Sequence, residues 1–193
     1  MIKLTPRVES PGSTDGLGNA KELTQVKSKT LQLIQEQIEH EMFASRLYLS
    51  MAVWLDAKGY PETAKFFAEH APEERGHAMW FVNFLLERGE KPIIPATELP
   101  PNDFETEEEI FTASIDHEKF ITQKIADIYA AALEEGDIMA LEIARKLSVE
   151  QIEEEAWFLS LYNLFKLEGK ISIDMEAQMA QFRKKGAHIT GKL

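Results

Sequence analysis

The 193-residue sequence predicts an all-α fold: a four-helix bundle with a long crossover between helices two and three and a short fifth helix. From about residue 28 onward, apolar residues recur with the helical period almost without interruption. Glycines follow the ends of these periodic runs, as they do at helix C-termini. The one long connection, residues 90–105, is rich in proline. At about 3.3 Å per residue it is long enough to run the length of a bundle.

Helices are expected at residues 28–57, 61–88, 107–135, 137–168 and, shorter, 173–185. Pro61 suits the first turn of the second helix. Thr106 precedes three glutamates and suits the N-cap of the third, and Asp137 suits the N-cap of the fourth. Short turns before the second and fourth helices make each pair antiparallel. The expected stops are Gly59, Gly89, Gly136, Gly169 and Gly186.

The chain is expected to divide into three parts. Residues 1–27 are an N-terminal extension, and its first part is rich in Pro, Gly and Ser, which predicts no helix of its own. Residues 28–185 are the helical domain, and residues 186–193 are a tail. The extension lacks the apolar stretch of a secretory signal, so the cytoplasm is the expected location.

Composition and charge exclude several classes of function. The absence of cysteine excludes disulfide frameworks, zinc ribbons, iron–sulfur clusters and thiol nucleophiles. No run of about 18 apolar residues is present, so no membrane partner is expected. The 33 acidic and 21 basic residues give a formal net charge of −12. Because such a chain repels phosphate backbones, nucleic acid is an unfavourable partner and cations are a favourable one.

The apolar stripe of each long helix is interrupted by polar residues near the middle of the bundle. The stripes run through Ile38, Glu41, Ser45 and Tyr48; Phe67, His70, Glu74, His77 and Phe84; Ile115, Glu118 and Ile121; and Gln151, Glu154 and Phe158. Four buried ionised glutamates would each cost several kcal/mol and would repel one another. Only protonation or bound cations relieve this cost.

Two divalent ions would balance the charges of Glu41, Glu74, Glu118 and Glu154, which favours a dinuclear metal centre. Glutamate-rich ligands with few histidines suit Fe(II) or Mn(II). Glu74 and His77 form a Glu-x-x-His pair that lies on one helical face, as in di-iron carboxylate bundles. One inward glutamate, or one such pair, is weak evidence alone. Six polar residues at one level on four helices favour the metal interpretation: Glu41, Glu74, His77, Glu118, Gln151 and Glu154.

Other polar and apolar side chains allow more than one interpretation. His70 is expected to be a hydrogen-bonded core histidine and His117 a core or surface residue, and Met79 is expected in the core. Tyr48 either hydrogen-bonds a ligand carboxylate, supplies an electron or simply packs in the core. An adjoining acidic set is either a third cation site or a solvated acidic face. Its members are Glu73, Glu150, Glu153 and Glu154.

Four segments together resemble the non-haem ferritins, especially those of the bacterial type: residues 36–41, 71–77, 116–118 and 150–155. The resemblance extends over about residues 28–185. It implies a ferritin-like four-helix bundle and a shell of 24 identical subunits. It also implies a ferroxidase that oxidises Fe(II) with O2 or H2O2, and storage of the ferric mineral inside the shell.

The resemblance also implies a role for each polar residue. The first iron would be held by Glu41, Glu74 and His77. The second would be held by Glu74 as a bridge, Glu118 and Glu154, with Gln151 nearby. A third site would use Glu73, Glu150, Glu153 and Glu154. Tyr48 matches the tyrosine that the family places beside the centre.

The sequence also departs from related proteins. Arg75 stands where bacterioferritins have their haem-ligand methionine, so no haem is expected. The acidic threefold-channel positions of animal ferritins fall on Leu141 and Ala144, so iron either enters by another route or uses Glu142. Three alternatives are a di-iron peroxidase or oxidase, a storage or scaffold subunit with an inactive centre, and a DNA-protecting miniature ferritin. The lack of cysteine weighs against the peroxidase or oxidase, and the complete ligand set weighs against an inactive centre. The acidic charge weighs against the DNA-protecting protein.

Overall fold

A computed structural model describes residues 25–186 of the chain, with side chains to residue 181, and all regular secondary structure in that range is helical. The helices are α1 (Ser28–Ala57), α2 (Pro61–Glu87), α3 (Glu107–Glu135), α4 (Ile138–Glu168) and α5 (Ile173–Gly186). Each predicted helix end lies within one residue of the observed one, so the predicted all-α fold is confirmed. Most of the N-terminal extension and nearly all of the tail lie outside the described residues, and the division into three parts stays a prediction.

The helix ends of the second hairpin follow from local sequence. The Thr106 side chain accepts a hydrogen bond from the backbone N–H of Glu109, and the Asp137 side chain accepts one from Ala140. Both satisfy backbone donors that have no partner inside the helix. Gly136 ends α3 with φ of 70°, a left-handed conformation that a side chain would strain.

The first two helices have no side-chain cap of their own. Instead, the carboxylate of Glu135, the last residue of α3, accepts hydrogen bonds from the backbone N–H groups of Lys29 and Thr30 at 3.2 and 2.9 Å. The carboxylate of Glu176 on α5 accepts from Glu62 and Thr63 at 2.7 and 2.9 Å. Carboxylates that are far away in the sequence therefore cap α1 and α2.

The crossover between α2 and α3 lies along α1. Gln35 exchanges two hydrogen bonds with the backbone of Ile93, at 2.5 and 2.9 Å. Arg46 donates to the Thr97 hydroxyl at 2.5 Å, and Ser50 donates to the carbonyl of Pro101. The extended chain thus follows α1 toward its C-terminal end, as the length of the connection predicts.

The core consists of two apolar clusters on either side of a polar layer. An aromatic cluster lies toward the α1–α2 turn and is covered by Met175 and Met179 of α5. An aliphatic cluster lies at the other end. The aromatic cluster includes Tyr48, Phe66, Phe67, Phe111 and Phe158, and the aliphatic cluster includes Ile34, Ile38, Ile121, Ile125, Ile128 and Leu147. The polar residues between them belong to the candidate site.

Four side chains lie farther from the core than the sequence predicts. Ser45, Phe84 and Ile115 are only half-buried, and Met79 is 41% exposed. The 3.6-residue helical period drifts against a heptad, so residues at the edge of a stripe rotate outward. None of the five helices in the described range is long and apolar enough to cross a membrane.

Candidate metal centre

Six polar side chains are buried together midway along the bundle. None of the six residues is more than 6% exposed. They come from all four long helices: Glu41 on α1, Glu74 and His77 on α2, Glu118 on α3, and Gln151 and Glu154 on α4. The predicted inward direction of all six is observed.

Helix geometry explains why these polar residues point inward. Residues three or four positions apart share one helical face. Glu41 lies between the buried Ile38 and Ala44, and Glu118 lies one turn before the buried Ile121. Burial of the apolar neighbours therefore turns each carboxylate toward the centre of the bundle.

Two groups of ligand atoms share one residue. Glu41, Glu74 and His77 form one group, and Glu74, Glu118 and Glu154 form the other, with the candidate ligand atoms of each group lying within 4.8 Å of one another. Glu74 belongs to both groups, so its carboxylate lies where it could bridge two ions. The resemblance to ferritins assigns the first and second iron to these same two groups. The assignment of these residues as ligands stays a prediction.

Neighbouring side chains orient the carboxylates. Gln37 donates to Glu41 Oε1 at 2.8 Å, and Gln151 donates to Glu118 Oε2 at 2.9 Å. The Tyr48 hydroxyl donates to the other oxygen of Glu118. Sequence reasoning missed Gln37, although its position four residues before Glu41 places both side chains on one face. Tyr48 and Gln151 lie beside the carboxylates, as expected.

Within the described residues, three buried carboxylate oxygens of the centre have no hydrogen-bond partner outside the carboxyl groups of the layer itself. They are Oε2 of Glu41, Oε1 of Glu74 and Oε2 of Glu154. Leaving a buried acceptor unpaired costs about 1–3 kcal/mol. These three residues also belong to the two groups of candidate ligand atoms. A pair of cations would fit the centre because it would supply the missing partners for these oxygens.

The centre favours protonated carboxyl groups when no cation is bound. Burial raises the pKa of Glu41, Glu74 and Glu154 well above the ordinary value, and a neighbouring glutamate raises each further. Burial also raises the pKa of Glu118, to about 7. Because cations stabilise the ionised form, metal binding would displace protons from this layer.

Two other histidines near the centre belong to neither group of ligand atoms. The buried His70 uses Nδ1 to donate to the Phe66 carbonyl at 2.9 Å, which confirms the expected core histidine. His117 is half-buried, with its ring against those of Phe43 and Tyr48. Burial lowers the pKa of both histidines to about 4, so both are neutral at pH 7.

The acidic set of the expected third site is more open. The Glu73 side chain is 48% exposed, and Glu150 and Glu153 are half-buried. Partial burial raises the pKa of Glu73; the charge of His77 lowers it, and the charges of Glu69 and Glu150 raise it. Neither group of ligand atoms includes Glu73, Glu150 or Glu153. A third cation site stays a prediction.

Known proteins are similar to this chain in sequence and in fold. Residues 31–167 match the profile of the Ferritin-like domain. Ferritin BfrB of Mycobacterium tuberculosis is 33% identical over 162 residues, which cover 80% of this chain and 90% of that protein. The bacterial non-heme ferritin of Escherichia coli is 30% identical over 145 residues, covering 75% of this chain and 88% of the relative.

A solved structure with a similar fold is an open pore ferritin from the archaeon Archaeoglobus fulgidus. It superposes with a TM-score of 0.75 and 27% sequence identity, and the match covers 83% of this chain and 96% of the other. The superposition agrees with the helical bundle described above.

Proposed function

Because the chain belongs to the ferritin family, we propose that it stores iron: it binds Fe(II), oxidises it at the buried centre and deposits the ferric product inside a hollow shell. One observation carries the catalytic part of this proposal. Glu74 belongs to both groups of buried ligand atoms, so one carboxylate could bridge two ions. Two metal ions about 3.5–4 Å apart are typical of dinuclear sites.

Charge and ligand type support iron as the substrate. Four ionised glutamates balance the charge of two Fe(II) ions, so the ions offset the cost of burying the carboxylates. Glu41, Glu74 and His77 would hold the first ion, and Glu74, Glu118 and Glu154 the second. Carboxylates and one imidazole suit iron and manganese, whereas structural zinc sites prefer cysteine and histidine.

The side chains would act before and during oxidation. The carboxyl groups release protons as Fe(II) binds, because their pKa values are raised in the metal-free chain. The hydrogen bonds from Tyr48 and Gln151 hold Glu118 in one orientation. Each Fe(II) then loses one electron to O2 or H2O2, and the ferric product leaves for the shell interior.

Assembly and the third site extend the same proposal. We expect 24 copies of the chain to form the shell, and the net charge of −12 to favour the accumulation of cations. Glu73, Glu150 and Glu153, together with Glu154, would bind a third iron beside the pair. No haem is expected. Native mass spectrometry of the assembled protein counts the chains.

Rapid oxidation of bound iron tests the catalytic proposal. The protein is loaded with Fe(II) without oxygen and mixed rapidly with oxygenated buffer, and the irons oxidised in the fast phase are counted per chain. We expect two, or three if the third site works. Glu74→Gln should lose the fast phase, because one change removes a charge from both ion sites.

A matched control is Glu87→Gln, which removes an exposed carboxylate from the same helix. This variant should keep the fast phase. The catalytic proposal fails if the folded wild-type protein has no fast phase, and a storage or scaffold role would then remain.

A further inference from the structure

Three polar side chains connect the candidate metal centre to a groove between α3 and α4. Buried Gln151 places Nε2 2.9 Å from Glu118 Oε2 and 3.4 Å from the Thr122 hydroxyl oxygen. The Thr122 hydroxyl lies 2.5 Å from Glu155 Oε1. Gln151, Thr122 and Glu155 all line a groove of about 480 Å³. Glu155 belongs to neither group of candidate ligand atoms.

The Glu155 carboxylate, at the outer end of this series, fixes the direction of each hydrogen bond. A carboxylate only accepts hydrogen bonds, so the single proton of the Thr122 hydroxyl is directed to Glu155. The Thr122 oxygen can then only accept from Gln151. A Gln151 amide turned the other way would place its carbonyl oxygen against two acceptors, Thr122 and Glu118. The contact between Gln151 and Thr122 is long, at 3.4 Å. With the amide reversed, however, it would bring two oxygens together with no proton between them, which disfavours that orientation.

We propose that Thr122 and Glu155 are positioning residues, which together hold the Gln151 amide with its NH2 group toward Glu118 and its carbonyl oxygen away from the second ion. Gln151 then acts as a hydrogen-bond donor to a ligand, and it does not itself supply a ligand oxygen. Without Thr122 and Glu155, a cation beside Glu118 would favour the flipped amide, because the carbonyl oxygen is attracted to positive charge.

This inference rests on the proposed function in one respect: it takes Glu118 as a ligand of the second ion. Residues that orient metal ligands through hydrogen bonds commonly affect metal affinity by about 10–100-fold when they are removed. The consequence should therefore be confined to the second ion, since the first group, Glu41, Glu74 and His77, does not include Glu118.

Binding of Co(II) without an oxidant tests the inference. Co(II) is a spectroscopic probe whose visible absorption reports the number and geometry of its ligands. The protein is titrated with Co(II), and the dissociation constant and the absorption spectrum are measured for the first and second equivalents. Two pairs of variants are compared, Glu155→Met with Glu155→Gln, and Thr122→Val with Thr122→Ser.

The pairs separate hydrogen-bond direction from charge and packing. Glu155→Met removes the acceptor and frees the Thr122 proton to donate to the Gln151 carbonyl oxygen, whereas Glu155→Gln keeps an acceptor without the charge. We expect Glu155→Met and Thr122→Val to change the affinity for the second Co(II) by about tenfold and to alter its spectrum. Glu155→Gln and Thr122→Ser should stay within about twofold of the wild type.

A further control is Thr112→Val on the same helix, where the hydroxyl donates only to the backbone carbonyl of Glu108. It should bind both Co(II) ions as the wild type does. Wild-type binding of two Co(II) with an unchanged Glu155→Met variant would overturn this inference alone. Equal effects of Glu155→Met and Glu155→Gln would also overturn it, because charge alone would then be responsible. Wild-type binding of fewer than two Co(II) would overturn the dinuclear centre and this inference together.

Discussion

The aromatic cluster and the polar layer beside it are both fully buried, but they have opposite effects on the stability of the metal-free chain. In the aromatic cluster, rings pack in stacked, edge-on and tilted pairs, and the centroids of Tyr48 and Phe158 lie 5.2 Å apart. In the polar layer, three carboxylate oxygens have no partner, and burial raises the pKa of all four carboxyl groups. Burial stabilises the fold in the first region and makes a metal centre possible in the second.

The two apolar clusters explain how the bundle maintains an unfavourable polar layer. Each long helix passes through both apolar clusters and through the layer between them. Apolar packing at the two ends fixes the helices, and the fixed helices hold Glu41, Glu74, Glu118 and Glu154 close together. The carboxylates therefore do not need to attract one another, and their ligand atoms are grouped before any cation binds.

The largest expected effect is loss of packing in the aromatic cluster. Phe67 is fully buried, with the rings of Tyr48, Phe66, Phe111 and Phe158 around it. Phe67→Ala should reduce the free energy of unfolding of the metal-free protein by about 3–5 kcal/mol. Guanidinium denaturation followed by circular dichroism measures the change.

The exposed Phe120 provides the control for this prediction. Phe120→Ala should have a smaller effect, because Phe120 is 40% exposed and therefore buries less apolar surface than Phe67. If Phe67→Ala and Phe120→Ala destabilised the protein equally, the aromatic cluster would not be the main source of stability at its end of the bundle.

The next largest expected effect is a pH dependence of the unfolding free energy that arises from the polar layer. A carboxyl group whose pKa is raised by folding stabilises the folded state at low pH, and that contribution is lost as pH rises through the folded pKa. For Glu118 the loss extends from about pH 4.5 to about pH 7, and its size is on the order of 3 kcal/mol. Glu118→Gln should remove this loss and make the metal-free protein more stable than the wild type at pH 8.

Comparison with the variant separates the contribution of the carboxyl layer from that of the two neighbouring histidines. The lowered pKa values of His70 and His117 contribute stability at neutral pH that is lost as pH falls from 6.5 toward 4. That contribution has the opposite sign, but it is present in both proteins and cancels in the difference. Parallel curves of unfolding free energy from pH 4.5 to pH 8 would contradict the prediction.

The smallest effect concerns Tyr48, which belongs to both regions. Its ring packs in the aromatic cluster and its hydroxyl donates to Glu118. Tyr48→Phe keeps the ring, so the free energy of unfolding should fall by only about 1 kcal/mol. Oxidation of bound Fe(II) should slow several-fold, because Glu118 loses one of its two side-chain donors. A loss of stability as large as that of Phe67→Ala would mean that the ring itself had moved.

Local signals account for the parts of the fold that the sequence predicts well. Thr106, Asp137 and Gly136 act on backbone groups within four residues of themselves, so their roles follow from sequence position. The caps that Glu135 and Glu176 supply to α1 and α2 were not predicted. In sequence, both carboxylates lie more than 100 residues from the N–H groups that they accept from.

The sequence alone predicts the helices, most of the residues on their buried faces and the six polar residues that meet inside the bundle. Periodicity is enough for this, because the face of a helix follows from residue spacing alone. The packing of the helices against one another determines that Glu74 belongs to both groups of ligand atoms and that Glu73 stays exposed. These facts depend on how far one helix is shifted and rotated against another, and packing across the whole core sets that relation.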